Sequence, residues 1–235
     1  MSGLSDAHHF RKMVAGVCMV FAPLLLLVGM VIHPEMKTDE GAQLAVIADN
    51  LDAWFVAHLL VLISLALAVP AVLGLMHMLR EREVAYGHVG GGLGLLGLLA
   101  ITGIVAIDGF VGWQAGAAGA GNAEMTALFE RLYDTAGVVI PFFVVSFAFT
   151  LGMLVLAMGL YRARAVQSWM ALLVAIALVL LAVAGPVGSE ALSIVGAAFL
   201  LVGLGSIGRM VMTEPDEDWE HTPEYKGFRP LAGTR

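Results

Sequence analysis

A single cysteine, Cys18, stands among 235 residues, inside an apolar run near the N-terminus. Neither an intramolecular disulfide nor a cysteine metal cluster can therefore form. Charge is equally scarce. Asp, Glu, Lys and Arg make up 13% of the chain, where soluble domains carry about 25%. The basic residues are few and dispersed and the net charge is −7, which excludes the footprint of a nucleic-acid-binding protein. No lysine falls within an apolar run, so a retinal Schiff base has no anchor. HExxH and a phosphate-cradling glycine loop are both missing. The hydroxyls of Ser146, Thr150, Ser189 and Ser193 have no triad spacing to a histidine. These absences name no reaction, and whether the chain is an enzyme stays open.

What fills the chain instead is apolar. Hydrophobic residues account for 60% of it, and the mean hydropathy of +0.90 is that of a membrane protein. MSGLSDAHHFRK is followed by about 20 apolar residues, longer than the h-region of a cleaved signal peptide, so the run reads as a retained span. Val17 before Cys18 speaks against lipoprotein processing, which wants a small residue there. Six apolar runs stand out, about 13–32, 54–79, 88–113, 136–160, 167–186 and 190–212. They predict an all-α, polytopic six-helix transmembrane bundle over 1–212, with an acidic cytoplasmic tail over 213–235.

Arg11, Lys12, Arg80, Arg82, Arg162, Arg164 and Arg209 fall on one side of these spans, and only Lys37 and Arg131 on the other. The positive-inside rule then places both termini in the cytoplasm of a cell that carries the protein in its inner or plasma membrane. Trp54 and Trp113 are expected at the outer interface and Trp169 at the inner one. The lipid bilayer is the expected partner, joined by a membrane-protein partner or by further copies of the chain. The tail is polar, acidic and proline-bearing, and is expected to stay mobile or to dock on a partner.

The two longer external segments predict short amphipathic helices. Thr38 or Asp39 caps the first, whose Leu44, Ile47 and Leu51 share a face; Asn122 caps the second, with Met125, Leu128, Phe129 and Leu132. Together they form a partial lid.

The stretch 88–113 organises the rest. On a helical wheel Gly90, Gly94, Gly97, Ile101, Ile104, Asp108 and Gly112 share one narrow face. Gly90, Gly94 and Gly97 would let a neighbouring helix come close, as membrane helices require. Asp108 is the only acid inside any apolar run, and an intramembrane carboxylate is a functional-site candidate. His58 lies about one turn into the second span, at a similar depth. His33 ends the first span, Asp134 precedes the fourth and Glu190 opens the sixth. His58, Asp108, His33 and Glu190 are the candidate metal ligands: histidine and carboxylate without thiolate suit a divalent metal. Haem suits them less, because His58 and His77 are nineteen residues apart on one helix and His77 and His88 sit at its edge. A buried His58–Asp108 hydrogen bond tying two spans together is the structural alternative, and Glu190 can equally stabilise its own helix N-terminus.

His33-Pro34 closing the first span, the acidic external helix, W54-FVA-H58 opening a leucine-rich second span and the G74-L-MHMLRERE ending form a recognisable arrangement. It resembles uncharacterised bacterial six-span membrane proteins, common in actinobacteria and grouped as a domain-of-unknown-function family. The resemblance covers roughly residues 13–113 and implies the fold without an activity. On the residues alone, three roles remain. The first is an outward-facing polar pocket at His58 and Asp108 that binds a metal, haem or small ligand. The second is an accessory or scaffolding subunit of a larger membrane complex, and the third is a small transporter.

Overall fold

The computed structural model describes residues 7–119, 121–221 and 227–229. Every apolar run becomes a helix: α1 (Ala7–Ile32), α3 (Leu51–Met78), α4 (Val84–Ala117), α6 (Ala136–Arg162), α7 (Ser168–Ala184) and α8 (Glu190–Thr213). Between them lie the short helices α2 (Glu40–Asp49) and α5 (Ala123–Asp134), and α9 (Asp216–Glu220) follows the last long one. The chain is an all-α polytopic bundle. Five helices are long and apolar enough to cross a membrane, the portion of α6 concerned being Phe143–Arg162. The run expected at 167–186 gives only 17 helical residues, about 25 Å of rise against a hydrocarbon core of about 30 Å. Gly185 and Pro186 end α7 early, since the ring of proline cannot continue a helix.

The six long helices close into a ring. Each packs on the next along the chain, and α8 returns to α1. Because no helix fills the middle, side-chain size decides where the ring is solid. At the end nearest the tail, Leu79, Leu156, Leu160, Met170 and Ile207 are fully buried and fill the centre.

Close approach between helices depends on glycine, because lipid offers no hydrophobic drive for helices to associate. A Cβ at Gly208 would collide with the α1 backbone at Gly16, and one at Gly74 with Ala15 and Met19. Gly90 backs onto the Leu156 nitrogen (2.7 Å from an ideal Cβ), Gly94 onto Met153 and Gly97 onto the Phe149 backbone (2.6 Å), so this seam of α4 lies against α6. Gly152 on α6 completes that crossing by meeting the Gly94 nitrogen. Gly109 and Gly112 face the other way, onto His58 and Trp54 of α3. Gly196 and Gly203 serve α7 and α8. Among the described residues the α6–α7 joint alone has no such glycine, and its contact is the sparsest of the ring.

Asp39 caps α2, its Oδ1 accepting from the Ala42 nitrogen at 2.7 Å, and Asn122 caps α5 through the nitrogens of Glu124 and Met125. The two short helices then bury Leu44, Ile47 and Phe129 against Ala115 and Trp54. They form a small second core over the end of the bundle opposite the tail, called the cap end below. Trp54 belongs to this core and to the α3–α4 contact, buried rather than placed at a lipid interface as its position in the run predicts. Its ring lies flat against Gly112, and a tryptophan with its N–H satisfied inside protein has no need of the headgroup layer.

Candidate functional site

Trp54 and His58 are four residues apart on α3 and therefore stack on one face, with ring centroids 4.3 Å apart. The indole Nε1 donates to the Gly109 carbonyl at 3.0 Å. His58 Nδ1 donates to the Trp54 carbonyl at 2.9 Å, and Nε2 lies 3.0 Å from Asp108 Oδ2. A carbonyl only accepts, so the proton on Nδ1 is fixed. One further proton then lies between Nε2 and the carboxyl, which form either an imidazolium–carboxylate or an imidazole–carboxylic acid pair. His58 is 7% exposed at its side chain and Asp108 32%, so the histidine is interior and the acid reaches the edge.

His33 completes a three-ring cluster, with centroids 5.0 Å from Trp54 and 5.1 Å from His58. Its Nδ1 donates to the Pro34 carbonyl at 2.7 Å. Burial first, and the neighbouring His58 second, push its pKa below the ordinary histidine value. His33, His58 and Asp108 are thus brought together by α1, α3 and α4. Glu190 is not part of that cluster; it lies in the first turn of α8, beside the capping Ser189. Asp134 is exposed at the end of α5.

This arrangement bears directly on the expected metal site. Both ring nitrogens of His58 are engaged by the chain, so a metal would have to displace Asp108 from Nε2 or the backbone from Nδ1. Among the described residues, no group of three or more His, Cys, Asp or Glu is placed to hold a metal ion. The histidines of the haem reading have other partners. His77 stacks on Trp219 at 4.4 Å and donates to its carbonyl, and His88 is exposed and bonded to the Val84 carbonyl.

A cavity of about 610 Å³ occupies the centre of the ring. It runs from Leu75, in the last turn of α3, and Leu204 to His33 and Glu190 at the cap end, and all six long helices line it. Its wall is mainly large and apolar, with Leu26, Met30, Phe147 and Leu181 among the lining residues, and Ala22, Ala68 and Ala182 add small side chains between them. Phe143 and Phe147 of α6 and Val179 and Val183 of α7 line it and are among the exposed large apolar residues. His58 and Asp108 are not in its wall. The two residues, singled out in the sequence for their depth, hydrogen-bond α3 to α4.

The tail holds the second unexpected cluster. It docks on its own bundle rather than standing free, at least through the described 213–221 and 227–229. Trp219 is buried on His77. Lys12, buried, pairs with Asp216 and donates to the Glu214 carbonyl at 2.8 Å. Arg229 is buried against Glu214, and its backbone nitrogen donates to the Arg164 carbonyl at 3.0 Å while its carbonyl accepts from Gln167. Burial pushes the Glu214 carboxyl up to about 7, against the downward pull of Arg229 and then Lys12. Hydrogen bonds from Lys12 and His9 hold Asp216 below the ordinary aspartate value. The one signal in the sequence was the lone tryptophan in an acidic segment.

No family model, curated protein or solved structure matches this chain, so its own geometry carries the functional reading.

Proposed function

We propose that this is a six-span membrane protein that binds a small, largely apolar ligand in the chamber enclosed by its helix ring. The observation carrying this reading is the cavity of about 610 Å³ with contributions from all six long helices. Ligand sites are typically concave, mainly apolar and about 300–1,000 Å³ in volume, with a few polar groups that fix orientation. Of the metal, haem and small-ligand readings, the last needs no displaced hydrogen bond. The Lys/Arg asymmetry orients the chamber: the basic residues gather at the tail end, which makes that end cytoplasmic and turns the cap end outward, in the inner or plasma membrane. The short α7 crosses with the help of its flanking residues, or by local thinning of the bilayer.

Ala68 lines the chamber, and a phenylalanine there would project a ring into it and obstruct a bound ligand, at a residue outside the His58–Asp108 pair. Protein purified under mild conditions should carry an apolar small molecule, detected by native mass spectrometry. Ala68→Phe should lose it while keeping its helix content. Parent and variant with identical adduct spectra would refute the chamber.

A further inference from the structure

The polar atoms of the chamber wall are nearly all acceptors. Among the described residues, no lysine or arginine lines it. Four hydroxyls do, and three of them have committed their hydrogen to the backbone: Ser64 to the Ala22 carbonyl at 2.7 Å, Thr150 to the Ser146 carbonyl at 3.1 Å and Ser193 to the Ser189 carbonyl at 3.4 Å. What these side chains still offer is lone pairs.

At the cap end the same bias is stronger. His33 uses Nδ1–H on the Pro34 carbonyl, which leaves Nε2 as the acceptor of a neutral ring. Glu190 is half-buried in the wall and contributes a carboxylate, again an acceptor. An incoming carboxylate or phosphate would meet a largely apolar wall, with Ser146 its one uncommitted hydroxyl among the described residues, and would lose most of its hydration without a cation to pair with, which is costly. An amine or hydroxyl would find partners on arrival, and an ammonium would gain the charge of Glu190.

Resting on the chamber reading, we infer that the ligand is a single-chain amphiphile whose head is a hydrogen-bond donor, an amine or a hydroxyl, set at the His33–Glu190 end. The volume is that of a drug-sized site, which suits one chain rather than a two-chain phospholipid. The gap between the outer halves of α6 and α7 offers the chain a route from the bilayer, because apolar wall residues there face outward.

The test uses the full-length protein in phosphatidylcholine nanodiscs doped in turn with octadecylamine, octadecanol or octadecanoate, with bound molecules counted by native mass spectrometry. The amine and the alcohol should bind at least about tenfold more tightly than the carboxylate. Glu190→Gln should weaken the amine by about tenfold and leave the alcohol close to the parent, because the amide oxygen still accepts. Phosphatidylethanolamine added to the disc should not displace bound octadecylamine, which separates a free single-chain amine from a lipid headgroup. Octadecanoate binding as tightly as the amine, displacement by phosphatidylethanolamine, or an amine affinity indifferent to Glu190→Gln would overturn the inference and leave the chamber standing. No binding of any of the three, with Ala68→Phe indistinguishable from the parent, would bring down the chamber reading itself.

Discussion

Glu214 gives the docked tail a pH dependence whose sign can be worked out. Its carboxylate is buried at the end of α8 and faces Arg229, with Lys12, Asp218 and Arg80 around it. Undocked and solvated, it would titrate near the ordinary value of 4.5; docked, it is pushed up to about 7. The docked tail therefore holds a proton in this window that the free tail has released, so docking weakens as pH rises through it. The difference amounts to about 3 kcal/mol at most, on the order of a hundredfold in the docking equilibrium. The contribution is fully present below the ordinary value and lost above about 7. Asp216 stays outside this window, because its own transition is displaced to more acid pH by Lys12 and His9. Hydrogen exchange at the amides of Trp219 and His221, which donate to Pro215 and Glu217, reads the docking once the intrinsic rate is divided out. Protection should fall from about pH 5 to about pH 8. Glu214→Gln keeps the shape without the titration, so it should flatten the profile and separate Glu214 from His9 and His77. Protection that is constant or rising over that range, or a slope that survives in Glu214→Gln, would refute the reasoning.

Three further outcomes follow from the packing. Gly152→Ala drives a methyl into the α4 backbone at Gly94, whereas Gly103→Ala meets nothing within 4 Å; the first should cost about 1–3 kcal/mol and the second should be neutral, by unfolding in mixed micelles. His58→Ala removes the hydrogen bond between Nε2 and Asp108 that ties α3 to α4 and should cost about 1–3 kcal/mol. Asp108→Asn, which can donate to Nε2, should lower the thermal midpoint much less, and the reverse order would show that the pair does not clamp the helices. Trp219→Ala removes a buried ring from His77 and should open the tail to added protease at pH values where the parent resists.

Much of the fold is legible because its signals are local. The six apolar runs, the caps at Asp39 and Asn122 and the buried face of α2 all follow from residues within a turn or two of one another. The i, i+4 spacing of Trp54 and His58 likewise announced a shared face, and the depth of Asp108 announced a partner on α3. What escaped depends on how each helix is rotated about its axis and on contacts far apart in the chain. Gly90, Gly94 and Gly97 could be put on one face of α4, but nothing local says that this face meets Gly152 while Gly109, three residues from Gly112, meets His58. Asp216 sits beside Lys12 across most of the chain length, so the tail reads as solvated when taken alone. The chamber is the extreme case. It is made where six helices converge without filling the space between them, and no single segment carries its signature.

The two ends of the ring follow opposite rules, and the difference accounts for where a ligand could enter. Toward the tail, large buried side chains fill the centre and α9 is locked on by Trp219, Lys12 and Arg229. Motion there would expose apolar surface and break buried ion pairs, which is expensive. Toward the cap, the centre is open, bounded by large apolar side chains such as Leu26, Met30 and Phe147 together with small ones such as Ala68 and Ala182. The joints that flank the chamber are fastened by glycine contacts, and on α3 and α4 also by the His58–Asp108 and Trp54–Gly109 hydrogen bonds. Among the described residues the α6–α7 joint has neither device, and the wall residues Phe147 and Val179 on its two helices are exposed. Separating α6 from α7 would break the fewest contacts of any joint in the ring. The His58–Asp108 hydrogen bond instead fastens α3 to α4, two joints away and outside the chamber wall.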